Sequence, residues 1–154
     1  MTLDEIKAMV ADAIIQVQAE NPPLVFDDVH ERSTAHRLAV HLDSLFPSWN
    51  VDCEYDRYGL VRKSLEGIRE CSERRATDYI LPDIIVHHRG FNGQENNLLV
   101  IEIKRDANYD PCDFQKLIGL TAQAGMFGYQ FGLYINIDAG QFHCIWFHNG
   151  EPIK

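Results

Sequence analysis

The feature that most constrains the fold of this chain is residues 81–104, which contain two short apolar runs. Residues 81–86 and 98–104 have the length and the Ile, Leu and Val content of β-strands. The stretch between them is rich in Gly and Asn, which favours a turn. The pattern therefore predicts a β-hairpin built from two largely buried strands.

Three charged residues interrupt these apolar strands on a single face. Side chains alternate between the faces of a strand, so Glu102 and Lys104 point the same way, and antiparallel pairing brings Asp83 to them. The opposite face is aliphatic and consists of Ile84, Val86, Ile101 and Ile103. Because unpaired buried charge is costly, these groups require a compensating partner. A divalent metal is one interpretation, and an ion pair of Lys104 with either acid is the other.

The spacing of Pro82-Asp83 and Glu102-x-Lys104 resembles the core motif of the PD-(D/E)xK nuclease superfamily. The resemblance implies a restriction-endonuclease-like α/β fold, in which a mixed β-sheet is flanked by helices. It also implies a Mg²⁺-dependent enzyme that hydrolyses phosphodiester bonds of nucleic acid. In that family the two acids hold the metal and the lysine acts on the attacking water.

Hard divalent ions prefer oxygen ligands, so Asp83, Glu102 and the backbone carbonyl of Ile103 are the expected ligands of Mg²⁺, for which Mn²⁺ can substitute. Lys104 would orient the attacking water or stabilise charge on the phosphate. Glu31 precedes the apolar stripe of a predicted helix. In the resembled family such a helix commonly supplies a further acidic ligand, which would extend the site to a second ion. Glu31 is alternatively the last residue of a helix-capping box.

The chain of 154 residues, of which 45% are hydrophobic and 24% charged, is typical of one globular domain. We predict an N-terminal helix within residues 1–22, capped by Thr2 and Glu5, and a core over 28–147. The predicted elements are helices at 2–20, 28–45 and 111–127, and strands at 51–56, 81–86, 98–104, 131–137 and 142–147. The sequence also indicates a short helix within residues 57–78.

The formal charge of −9 is unusual for a protein that binds nucleic acid, but the basic residues are unevenly distributed. They are concentrated in residues 57–75, where Arg57 and Lys63 are candidates for substrate contact. The alternative is that these basic side chains pair with neighbouring glutamates. Gln115 and Lys116, near the start of the third predicted helix, are further candidates for contact with the metal site or substrate. The alternative is that both side chains lie on a solvated face of the helix.

No segment has the length and hydropathy of a membrane span, and the N-terminus lacks a signal-peptide layout. The four scattered cysteines form no CxxC pair and are typical of a reduced cytoplasmic protein. The expected partner is nucleic acid, DNA in preference to RNA, with a homodimer or a partner protein as further expectations. The alternative function is a nuclease-like binding or assembly module in a DNA-processing or defence complex, without cleavage activity of its own.

Overall fold

The chain folds around a six-stranded mixed sheet that has helices on both faces. The computed structural model describes residues 1–20, 31–55, 57–58, 61–62, 80–105 and 109–153, and at 57–58 and 61–62 it describes the backbone alone. Among the described residues, the helices are α1 (Leu3–Glu20), α2 (Glu31–Leu45) and α3 (Pro111–Thr121), with a 3₁₀ turn at Gln94–Asn96. The strands are β1 (Asn50–Cys53), β2 (Arg57–Tyr58), β3 (Val61–Arg62), β4 (Ile84–His87), β5 (Asn97–Lys104), β6 (Phe131–Asp138), β7 (Gln141–His148) and β8 (Glu151–Pro152).

The sheet has the strand order β1-β4-β5-β6-β7-β8, whereas β2 and β3 form a separate two-stranded ribbon. Strands β5 and β6 are parallel, and the other neighbouring pairs are antiparallel. Parallel neighbours require a crossover connection, which α3 provides between β5 and β6. The predicted α/β class, a mixed sheet flanked by helices, is confirmed.

The predicted hairpin is confirmed by the antiparallel pairing of β4 and β5, in which Ile84 lies opposite Ile101. The first strand starts at Ile84 rather than at residue 81. The aliphatic face predicted for the hairpin packs in a core with buried residues of α1 and α2 such as Val10 and Leu38. The charged face of β5 is therefore the one directed away from α1 and α2.

Helix α3 covers that second face of the sheet. Its Leu117 and Leu120 pack with Ile85 of β4, Val100 of β5 and Tyr134 of β6. Gly132 of β6 lies directly beneath the helix, because a Cβ atom there would lie 2.9 Å from Thr121 Cγ2 and 3.3 Å from Leu117 Cδ2. The absence of a side chain at Gly132 lets α3 approach the sheet closely enough to bring its polar residues to β5.

The predicted ends of α1 are confirmed, and three ends are corrected in addition to the start of β4. The capping box of α1 is present: Glu5 N donates to Thr2 Oγ1 at 3.3 Å, and Thr2 N donates to Glu5 Oε2 at 2.7 Å. Helix α3 ends at Thr121 rather than near 127, because Ala122 leaves the helical conformation with ψ of 116°. The chain then turns, and Phe127 is buried in the core.

The other two corrections are at strand ends. Strand β1 ends at Cys53 rather than 56, because Glu54 adopts a left-handed conformation with φ of 49°. The last predicted strand ends at 147, but the chain continues into β8, because Asn149 and Gly150 have positive φ, 50° and 76°, and reverse its direction. The predicted strands 131–137 and 142–147 are joined by a tight turn, across which Asp138 of β6 lies opposite Gln141 of β7.

Several predictions lie outside the described residues, namely the start of the predicted helix 28–45 at residues 28–30, the helix within 57–78 and the position of Lys63. The side chain of Arg57 is also outside them. Over the described parts of the chain, no helix combines the length and apolar character needed to span a membrane.

Candidate functional site

Glu102 is the centre of a charged cluster between β5 and α3. The strand alternation directs it towards α3, and only 2% of its surface is exposed. Its Oε2 atom lies 3.1 Å from Nζ of Lys116, whereas Oε1 is buried and has no hydrogen-bond partner among the described residues. Burial raises the pKa of Glu102 well above its usual range, and the positive charge of Lys116 opposes that rise. The orphaned oxygen marks a site where a further cation or proton would be stabilised.

Lys116 reaches the cluster from α3 and is one of its most buried members. Its Nζ atom donates to Asp113 Oδ1 at 2.5 Å in addition to Glu102. Burial lowers the pKa of Lys116, but Glu102 and Asp113 outweigh this effect and raise it, so the side chain is an ammonium. The alternative of a solvated helix face is therefore wrong for Lys116. Its neighbour Gln115 is exposed on α3.

Asp83 lies immediately before β4 and is fixed by the neighbouring strand. The backbone N–H of Ile103 donates to Asp83 Oδ2 at 2.7 Å. Burial raises the pKa of Asp83 to about 6, and this hydrogen bond opposes the rise. The positive charge of Lys116 lowers the pKa of Asp83, and the negative charges of Asp113 and Glu31 raise it. Asp83 and Glu102 are therefore brought into one electrostatic environment, as the hairpin predicts.

Lys104 takes a different position from the predicted one. Its Nζ atom lies 3.5 Å from Glu31 Oε1 and 3.9 Å from Asp110 Oδ2. The ion pairs of Lys104 within the described residues are thus with α2 and the start of α3, and the alternative of a pair with Asp83 or Glu102 is wrong. Burial lowers the pKa of Lys104, but Glu31, Asp113 and Asp110 together raise it. A raised pKa suits a group that stabilises negative charge rather than one that accepts a proton.

Glu31 connects the start of α2 to the end of β5. Its Oε1 atom accepts a hydrogen bond from Arg105 N at 3.2 Å and also faces Lys104. The Arg105 guanidinium in turn donates to Thr34 Oγ1 at 3.1 Å. Glu31 therefore lies in the charged cluster, as expected for an acidic residue at the end of the buried face of α2.

Asp113 is a residue of the site that the sequence patterns did not indicate. Asp110 is the N-cap of α3, and its Oδ1 accepts a hydrogen bond from Cys112 N at 2.8 Å. Asp113 lies in the first turn of the helix. The available signal was its spacing from Lys116, since residues i and i+3 of a helix lie on one side.

The donor atoms of the cluster match a hard divalent cation in chemical type. Within the parts of the chain that are described, no group of three or more His, Cys, Asp and Glu side chains is arranged to hold a metal. The carboxylate of Asp83 is nevertheless close enough to the buried Glu102 to raise the pKa of Glu102. The oxygens of Asp83 and the Oε1 atom of Glu102 form a partial set of oxygen ligands.

Comparison of the chain with models of known protein families gives no match, and a search of curated proteins gives no significantly similar sequence.

Proposed function

We propose that this protein is a Mg²⁺-dependent nuclease of restriction-endonuclease-like fold, acting on DNA. The observation that carries the proposal is the proximity of Asp83, which directly precedes β4, to the buried Glu102 of the adjacent strand β5. One oxygen of Glu102 is buried and has no hydrogen-bond partner among the described residues. Carboxylates are seldom buried in this way unless a cation compensates them. The Pro82-Asp83 and Glu102-x-Lys104 pattern supports the same function.

In this proposal Asp83, Glu102 and the Ile103 carbonyl hold Mg²⁺ or Mn²⁺, and Glu31 extends the site towards a second ion. When bound, the metal lowers the pKa of its water ligand and stabilises charge on the phosphate oxygens. The N–H of Ile103 keeps the Asp83 carboxylate in one orientation. Lys104 is 29% exposed and positively charged, so its ammonium stabilises the negative charge of a bound phosphate.

A cleavage assay on linear duplex, single-stranded and circular DNA, and on RNA, tests this function. The wild type is compared with Glu102→Gln, which keeps the shape of the side chain and removes its charge, and with the exposed Glu151→Gln as the matched control. We expect metal-dependent cleavage that EDTA abolishes and that Glu102→Gln reduces by at least about 100-fold, the usual scale for loss of a charge-stabilising group. Equal cleavage by Glu102→Gln and Glu151→Gln would contradict the proposal.

A second function, a binding or assembly module that does not cleave, is favoured by one observation. Lys116 already supplies a positive charge to Glu102 and Asp113, so part of the acidic cluster is compensated without any metal. Isothermal titration calorimetry with Mn²⁺ distinguishes the two functions. Binding that Glu102→Gln abolishes supports the nuclease, whereas the absence of binding supports the module.

A further inference from the structure

The two oxygens of the Glu102 carboxylate have different surroundings. Oε2 accepts a hydrogen bond from the Lys116 ammonium at 3.1 Å, and Oε1 is buried without a hydrogen-bond partner among the described residues. A carboxylate accepts several hydrogen bonds when it is fully satisfied. Glu102 is thus only partly compensated by Lys116, and it retains the capacity to bind a second cationic group.

Lys116 has a second acceptor that does not depend on Glu102. Asp113 is three residues earlier on α3, and its Oδ1 lies 2.5 Å from Lys116 Nζ. Both side chains are 10% exposed, so this pair is also shielded from water. If the ammonium left Glu102, it would still be paired with Asp113. Movement between the two acids therefore does not leave an isolated buried charge.

A divalent ion at Glu102 and the Lys116 ammonium would repel each other strongly. The interaction of two charges increases as the effective dielectric constant falls, and Glu102 is almost completely buried. Both cations cannot share this carboxylate at hydrogen-bond distance without a large cost. One of them must move away, and Asp113 gives the ammonium a place to move.

We propose that Lys116 is an internal countercation that competes with a divalent metal for Glu102 and remains with Asp113 when the metal binds. The choice of a divalent ion as the competitor rests on the proposed nuclease function. In the absence of metal, Lys116 keeps Glu102 compensated and the site folded. In its presence, Lys116 weakens the affinity of the site, so that the metal is held only at high concentration or together with substrate phosphate.

The test is calorimetric titration of the full chain with Mn²⁺ alone. Lys116→Met and Lys116→Gln remove the competing charge, and Lys116→Gln keeps an N–H donor for Glu102. Lys7→Met is the matched control, because Lys7 lies on α1 over the ring of Trp146, which packs on the other face of the sheet. We expect Mn²⁺ to bind about tenfold more tightly to both Lys116 variants and Lys7→Met to leave the affinity unchanged. Equal or weaker binding by both Lys116 variants would overturn the proposal.

Thermal unfolding provides a second readout. Lys116→Met leaves Glu102 without its ammonium, so the variant should have a lower Tm than the wild type in EDTA. Addition of Mn²⁺ should raise the Tm of this variant by more degrees than that of the wild type, since it binds the ion more tightly. A smaller rise in the variant than in the wild type would contradict the competition.

The outcomes separate this proposal from the nuclease function. Equal Mn²⁺ affinities together with metal-dependent cleavage reject the competition and leave the nuclease in place. Tighter binding by the Lys116 variants, with no cleavage by any protein, rejects the nuclease and supports the competition. If neither the wild type nor the variants bind Mn²⁺, both proposals are wrong.

Discussion

Asp83 is a carboxyl group whose negative charge is costly in the folded protein. Burial raises its pKa to about 6, against an ordinary value of 3.8. The folded state therefore binds more protons than the unfolded state between about pH 4 and pH 6. Over this range the contribution of Asp83 to the free energy of unfolding falls as pH rises. This contribution is most favourable below the unfolded pKa and is lost once pH exceeds the folded pKa.

Asp83→Asn should remove this pH dependence, because asparagine resembles the protonated acid. We expect the variant and the wild type to have similar stability near pH 4 in EDTA. By pH 8 the variant should be more stable by about 3 kcal/mol, because a pKa raised from 3.8 to about 6 corresponds to that free energy. Urea denaturation at several pH values measures the difference, with Asp138→Asn as an exposed control. A difference that stays constant from pH 4 to pH 8 would show that Asp83 does not titrate in this way.

The sequence patterns predicted the positions of the acidic side chains better than those of the lysine side chains. Asp83 and Glu102 were predicted from strand alternation, which is a backbone property and leaves little freedom to a short side chain. Lysine has a long flexible stem, so its ammonium goes to the most favourable acids within reach. Lys104 therefore pairs with Glu31 and Asp110, and Lys116 comes from α3 to Glu102. These choices depend on tertiary packing that no local pattern contains.

Lys116 reaches Glu102 because α3 lies close to the sheet. Gly132 sets this distance, because an added Cβ atom would lie 2.9 Å from Thr121 Cγ2 and 3.2 Å from Phe147 Cβ. The position of one helix thus depends on a single position in β6. Changes in this packing should affect both the stability of the fold and the geometry of the cluster.

Gly132→Ala should destabilise the protein by about 2 kcal/mol, as is typical of overpacked cores. Thr121→Ser removes Cγ2 but keeps the hydroxyl, which donates to Leu117 O and accepts from Gly150 N. The cost of Gly132→Ala should therefore be smaller in the Thr121→Ser background. A double-mutant cycle based on urea denaturation measures this coupling. Strict additivity of the two substitutions would contradict the proposed contact.

The elements themselves were predictable where local signals were strong, as with the capping box of α1 and the turn after β6. Helix α3 was predicted too long because residues 122–127 contain no proline to stop it. Its end is instead set by the Gln123 side chain, which donates to Thr121 O and Tyr129 O and holds the following turn. A contact of this kind forms only once the chain has already folded back.

For the molecule as a whole, the charged cluster joins elements that are distant in the sequence. It brings together residues of α2, the start of β4, the end of β5 and the first turn of α3. The unfolded chain does not assemble these acids. A ligand that binds only the folded cluster must therefore stabilise the entire fold.

Saturating Mn²⁺ should consequently raise the Tm of the wild type. At 100 times the dissociation constant the gain is about 2.7 kcal/mol, which corresponds to roughly 5–10 °C for a domain of this size. Differential scanning calorimetry in Mn²⁺ and in EDTA measures the shift. Glu102→Gln should lose most of the shift and Glu151→Gln should keep it. An equal shift in all three proteins would indicate that Mn²⁺ binds elsewhere.

The two outer strands of the sheet have a consequence for the solution behaviour of the protein. Strand β1 has four residues, and the carboxylate of its Asp52 contacts the side chains of Arg89 and His87. Strand β8 has two residues and ends in Pro152, which has no N–H to donate. A short or proline-containing edge strand offers few free backbone N–H and C=O groups with which a strand of another molecule could pair. We therefore expect concentrated solutions of the folded protein to resist the growth of intermolecular β-structure.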